Sequence, residues 1–171
     1  GVAVVTGYAL LGACWLIWKT EGTSQLHARR LAFWLGVATL LALGAVSAAT
    51  PFLHYDYWRR WFAMPGVLLT AQVPLLVAIC TATFFWSLRR ERERLPFLMA
   101  LALFLLGFVG LGISIYPYIV PRAVTIWQAA APPESQAFML VGALVIIPLI
   151  LVYTGWAYWV FRGKAGIHGY H

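Results

Sequence analysis

Charge is what this sequence has least of, and most of the chain has none. Only 10% of its 171 residues are Asp, Glu, Lys or Arg, against about 25% in soluble domains. No charged residue or histidine falls within residues 1–18, 31–50, 67–88, 95–116 or 137–161. An ionisable side chain inside a membrane span is the usual mark of a proton relay, an ion path or a haem ligand. Five stretches without one argue against such chemistry being carried by this chain alone.

Histidine is nearly as scarce. His27, His54, His168 and His171 are the four, all in predicted loops or the tail. Two histidines gripping a haem inside a bundle have to face each other from spans, and these cannot. His168 and His171 offer weak metal binding, with a flexible tail as the plainer reading. The two cysteines, Cys14 and Cys80, both fall inside apolar stretches and form no CxxC pair. They read as buried thiols packing as small apolar groups. No nucleotide loop, metal-ligand spacing or nucleophile–base pair is visible, so the expectation is no catalytic residue and no metal site. A secretory signal is missing too. The chain opens Gly1-Val2-Ala3-Val4-Val5, without Met and already apolar. It reads as the C-terminal half of a longer subunit, cut at or within a span, with a natural polar tail from Arg162 to His171.

What is present is hydrophobicity: 63% of the residues, including 9 Trp, 8 Tyr and 10 Phe. Crossing a hydrocarbon core of about 30 Å takes about 20 apolar residues, and each of the five stretches approaches or exceeds that. Continuous runs of this length call for helices rather than the alternating segments of about 10 residues found in barrels. The predicted fold class is an all-α, polytopic transmembrane helical bundle of five spans, at about 1–18, 31–50, 67–88, 95–116 and 137–161. Small residues recur four apart, as in Ala3 and Gly7, Ala9 and Ala13, Ala38 and Ala42, Ala45 and Ala49, and Gly110 and Ser114. Such faces let helix backbones approach closely in lipid. Pro74 and Pro148 sit well inside their predicted spans and are expected to kink them.

The net charge of +7 follows topology rather than a nucleic-acid face. Lys19, Arg29, Arg30, Arg89, Arg90, Arg92, Arg94, Arg162 and Lys164 fall on one side of the predicted topology. Arg59, Arg60 and Arg122 fall on the other. Short loops rich in Lys and Arg stay in the cytoplasm, which puts the C-terminus inside. Trp and Tyr cluster at the predicted span ends, as amphipathic rings do at headgroup level.

Three features invite a functional reading. The segment Pro51–Phe62 is densely aromatic; Trp58 and Trp61 are weak quinone or lipid candidates there, against a plain surface-lying segment. Asp56 is expected to pair weakly with Arg59 or Arg60. Gln72, one to two turns inside the third span, can hydrogen-bond a quinone carbonyl or a neighbouring helix. The run Arg89-Arg90-Glu91-Arg92-Glu93-Arg94 fixes topology and attracts anionic lipid headgroups.

Tyr116-Pro117-Tyr118-Ile119-Val120-Pro121, Thr125-Ile126-Trp127, Ala129 to Gln136 and the last span through Tyr153-Thr154-Gly155-Trp156 carry a resemblance. With Gly7-Tyr8-Ala9-Leu10-Leu11-Gly12-Ala13 and Lys19-Thr20-Glu21-Gly22, they are similar to the C-terminal half of subunit II of cytochrome bd-type quinol oxidases, the cyanide-insensitive branch included. The resemblance implies a nine-helix subunit, of which this chain would be the second four-helix bundle plus one peripheral helix. It implies a homologous partner, subunit I, holding haem b and haem d, and no cofactor on this chain. The complex would oxidise quinol (ubiquinol or another quinone's), reduce oxygen to water and build a proton-motive force in the bacterial inner membrane. Lipids, quinol and a small accessory subunit complete the implied partners. The alternative is a transporter or permease half, which would need polar intramembrane groups facing a cavity.

Overall fold

A computed structural model of the chain describes residues 1–53, 72–120, 123–161 and 163. In chain order the elements are α1 (Val2–Lys19), α2 (Gly22–Leu53), α3 (Gln72–Arg89), α4 (Leu95–Ile115), β1 (Tyr118–Val120), β2 (Val124–Thr125), α5 (Ile126–Ala129) and α6 (Pro133–Val160). Five of these helices are long and apolar enough to cross a membrane: α1, Gly22–Ala49 of α2, α3, α4 and α6. The all-α polytopic expectation therefore holds. The chain divides into two units, Gly1–Ser114 and Ile115–Gly163.

In the first unit α1 to α4 surround one core. Leu10, Ala13, Cys14 and Ile17 come from α1, Ala28 and Ala32 from α2, Phe84 from α3 and Ala100 from α4. These residues lie near one end of the four helices, where the α1–α2 and α3–α4 turns also lie. Without a hydrophobic drive between helices in lipid, close fit has to supply the association. It does so helix by helix. Tyr8 of α1 meets Phe104 of α4 with ring centroids 5.3 Å apart, and Trp15 meets Phe97 at 5.3 Å. Phe33 of α2 meets Phe85 of α3 at 5.3 Å.

The α1–α2 connection differs from expectation. A loop over residues 19–30 is replaced by a turn at Thr20 and Glu21, and α2 begins at Gly22. His27, Arg29 and Arg30 are thus helical, and His27 is not a loop residue. Three causes act together. Gly22 takes a φ of 64°, a conformation open to glycine. No glycine or proline follows it until Gly36. Ala28 and Ala32, four apart, both bury against α1. The last helix likewise starts at Pro133 rather than 137, with proline in the first turn and Glu134 beside the positive end of the helix dipole. Pro74 is the third described residue of α3, and the residues before Gln72 lie outside the described ones. Pro148 lies inside α6, which continues through it.

The second unit is a two-stranded antiparallel hairpin, a helical turn and α6. Tyr118 pairs with Thr125 and Val120 with Val124. Thr125 and Gln128 form a capping box on α5. Tyr116 and Trp127 stack edge to face at 6.1 Å. No residue of α6 is buried. Nearly all of its side chains are apolar, so it is built for lipid or protein contact along its length.

Candidate functional site

The first unit has two ends of different character. At the turn end, polar side chains lock the helices. Arg29 donates from Nη2 to the Glu91 carbonyl at 2.7 Å and from Nη1 to the Leu88 carbonyl at 3.5 Å. It thereby brings a charged donor to the Leu88 carbonyl in the last turn of α3, which also accepts from the Glu91 N–H at 3.3 Å, and to the Glu91 carbonyl just past the helix end. Glu91 itself takes a φ of 53°, and the Arg92 N–H donates back to the Ser87 carbonyl at 3.0 Å. This is the left-handed helix-ending turn that usually uses glycine. Gln25 of α2 donates to the Ile17 carbonyl at 2.9 Å and the Thr20 carbonyl at 3.1 Å, closing the α1–α2 turn. Its amide also lies 3.4 Å from Glu93 Oε1, beyond α3. Lys19 Nζ stands 5.1 Å from the Trp15 ring centre and 5.5 Å from that of Trp18; the Arg94 guanidinium lies 5.8 Å from Trp18. These are cation–π distances.

Above this lock, Gly36 of α2 packs against Phe84 of α3. A Cβ built there would lie 2.7 Å from the Phe84 ring, closer than real side-chain contacts allow. Phe84 is fully buried. The small residue at 36 is what lets the ring fill the core.

Beyond Gly36 the helices part. A cavity of about 490 Å³ opens between α2, α3 and α4, lined by Leu40, Leu43, Gly44, Ser47, Val73, Pro74, Val77, Leu106, Gly107 and Gly110, among others. Among the described residues, Ser47 is the sole polar side chain on its wall. This is the size and character of a site for an apolar group. The two buried hydroxyls without a hydrogen-bond partner among the described residues, Thr39 Oγ1 and Thr81 Oγ1, are not among its lining groups.

Of the residues singled out in the sequence, Gln72 is described. It is the first residue of α3, exposed, next to Val73 and Pro74 of the cavity wall but not itself part of it. Trp58, Trp61, His54, Asp56, Arg59, Arg60, Arg122, Arg162, Lys164, His168 and His171 lie outside the described residues. Gly7, Ala13 and, in part, Gly110 use their small-residue faces for helix contact; Ala45 and Ala49 are exposed. The cavity and the Arg29 cap were not expected. The glycines at 44, 107 and 110 were the available signal for the first. The second had none, because it joins residues about 60 apart in sequence.

The described residues do not fit a haem. His27, the one described histidine, is exposed at the start of α2, and its Nδ1 lies 2.8 Å from the Thr23 carbonyl. Of the two described methionines, Met99 packs against the core and Met139 is 71% exposed on α6. No group of three His, Cys, Asp or Glu among the described residues can hold a metal ion.

Fold and site together define a class: a polytopic helical membrane protein whose first four helices share a close-packed, uncharged core. Within that class, residues 1–161 match the cytochrome bd terminal oxidase subunit II family, and the chain belongs to it. Over 59 residues, 31% of this chain, it is 32% identical to cytochrome bd-I ubiquinol oxidase subunit 2 of Escherichia coli K12, and equally so to the protein of that name in Escherichia coli O157:H7. The match spans 16% of each relative's length.

Proposed function

We propose that this chain is the C-terminal part of the non-haem subunit of a quinol:oxygen oxidoreductase. Its partner, subunit I, would carry haem b and haem d. The complex would take two electrons and two protons from each quinol, and pass four electrons with four protons to oxygen, giving two waters. This chain contributes no reacting group. Its part is to present rigid apolar helix faces that hold subunit I in its assembled form and keep the haems in place. Oxidation of ubiquinol, the substrate in the E. coli relatives' name, at one face and proton uptake from the other would build a proton-motive force. The charge distribution supports a cytoplasmic C-terminus in a bacterial inner membrane.

The observation that carries this reading is the pairing of family membership over residues 1–161 with spans free of ionisable groups. The transporter alternative needs polar groups facing a pathway, and the cavity between α2, α3 and α4 is apolar. Gln72 remains the described candidate for a quinone contact, beside Trp58 and Trp61.

The test uses the complete, tagged subunit purified from its native membrane in mild detergent. A reduced-minus-oxidised spectrum with haem b and haem d bands, together with a second large membrane subunit, is the expected result. A colourless preparation without a partner would overturn the reading.

A further inference from the structure

Arg30, Arg89, Arg90 and Arg92 of the first unit have no side-chain partner among the described residues, and the register of α2 against α3 sets the first two opposite each other. Arg29 reaches the Leu88 and Glu91 carbonyls, the Phe33 ring meets Phe85, and Gly36 abuts Phe84. An antiparallel pair aligned by these contacts sets Arg30 opposite Arg89. Arg30 lies three residues before Phe33 and four before Trp34, so it shares their side of α2. Arg89 lies four residues after Phe85 and shares its side of α3. Since the Phe33 and Phe85 rings touch at 5.3 Å, helix spacing puts Arg30 and Arg89 on the same side of the α2–α3 seam. Both residues are exposed, and no carboxylate among the described residues pairs with either. Two like charges on one side of a helix seam, with no counter-charge on either, suit an anion.

Depth selects the anion. Arg30 immediately precedes the uncharged stretch 31–50, and Arg89 immediately follows the uncharged stretch 67–88. Both therefore sit at the hydrocarbon boundary, the level of lipid phosphates. Trp34, 69% exposed, and Phe33, 39% exposed, continue that side into the apolar zone. Rings at this level are the membrane-interface pattern.

We propose that Arg30 and Arg89 clamp the phosphate of an acidic phospholipid on the α2–α3 seam, with an acyl chain lying along Phe33, Trp34 and Phe85. The forked guanidinium suits a phosphodiester, which accepts two parallel N–H donors. The site would fasten the outer edge of the Phe33–Phe85 contact much as Arg29 fastens its inner edge. Lipid retention is independent of haem content, so this proposal and the oxidase reading fail separately.

The test takes the full-length subunit with whatever partners co-purify, in nanodiscs of phosphatidylcholine containing a minor share of phosphatidylglycerol. Retained lipid is read by native mass spectrometry. Wild type is expected to retain phosphatidylglycerol in excess of its share. R30Q/R89Q loses that excess, by about fivefold for each arginine, and R30K/R89K keeps most of it. R90Q/R92Q, with the same charge change on the neighbouring turn, loses clearly less of it than R30Q/R89Q. If the double variant does not accumulate, the single variants R30Q and R89Q are read instead. Three results would overturn the proposal. R30Q/R89Q matching wild type is the first; R90Q/R92Q losing as much, which is general surface attraction, is the second; R30Q/R89Q shedding a protein partner while keeping its lipid is the third. Displacement of the lipid by added inorganic phosphate would equally refute a site built for the lipid as a whole.

Discussion

The two ends of the four-helix unit are made from the same helices and packed by different rules. At the turn end, α2 and α3 are held by an aromatic pair, a ring on a glycine and an arginine on a helix terminus. At the other end the same two helices diverge with α4 around about 490 Å³ of apolar space. The short turn at Thr20 and Glu21 lets the helices meet at one end, and side-chain locks keep them there. At the far end Gly44, Gly107 and Gly110 line that space, with only ordinary contacts such as Val73 Cγ1 3.7 Å from a Cβ at Gly110. Stability therefore concentrates at one end, and adaptability to a bound apolar group, or to a neighbouring chain, at the other.

The contrast breaks most sharply at Gly36. A valine there drives its side chain into Phe84, which is fully buried and cannot move outward. Overpacking of this kind costs about 3 kcal/mol, and Gly36→Val is expected to abolish accumulation of the full-length subunit in membranes, read by immunoblot. Arg29→Ala comes next. It strips the Leu88 and Glu91 carbonyls of their charged donor, a loss of about 2 kcal/mol for a half-buried charged hydrogen bond. The expected result is a lower unfolding midpoint in a detergent titration of the full-length subunit, with Arg29→Lys in between. An unchanged midpoint for Arg29→Ala would mean that the turn end is held by the rings alone.

Much of this unit is legible in its sequence. The spans follow from uncharged runs, because a bilayer punishes charge more severely than water rewards any alternative. The family was legible from the stretch Tyr116–Pro121 and the last span. Boundaries were less so: the uncharged run begins at Leu31, but the helix begins at Gly22, because helix ends are set by backbone pairing and not by polarity. Long-range locks were not legible at all. Nothing local distinguishes Arg29, which caps another helix, from Arg30 beside it, which has no partner among the described residues. Likewise Ala28, Ala32 and Gly36 stand four apart just as Gly110 and Ser114 do, and spacing alone does not tell which of these glycines abuts a large buried ring.

Gly110 sharpens the comparison from the loose end. A Cβ at that position meets Val73 Cγ1 at 3.7 Å, an ordinary contact. Gly110→Ala is therefore expected to be neutral or to stabilise by up to about 1 kcal/mol through helix propensity. Gly36→Ala destabilises under the same assay. If the two alanines behave alike, the difference between the ends is not one of packing. Gly110→Leu is a harsher probe, pushing a full side chain against Val73, and it should lower assembly yet remain milder than Gly36→Val.

Thr81 provides the finest test. Its hydroxyl is buried on α3 without a hydrogen-bond partner, whereas Thr83 and Ser87 on the same helix each bond a carbonyl one turn back, at 2.8 Å to Ile79 and 2.7 Å to Phe84. An unmet buried hydroxyl costs about 1 kcal/mol or more in protein mutational series. Thr81→Val keeps the shape and removes the cost, so a small rise in unfolding midpoint is expected, with Thr83→Val flat or lower. The comparison isolates the hydroxyl from the volume, since both substitutions are isosteric and both lie on α3. A fall at Thr81 would reveal a partner for that hydroxyl in the assembled membrane protein. The near-neutral end of the unit would then be one where another chain or lipid supplies the missing bond.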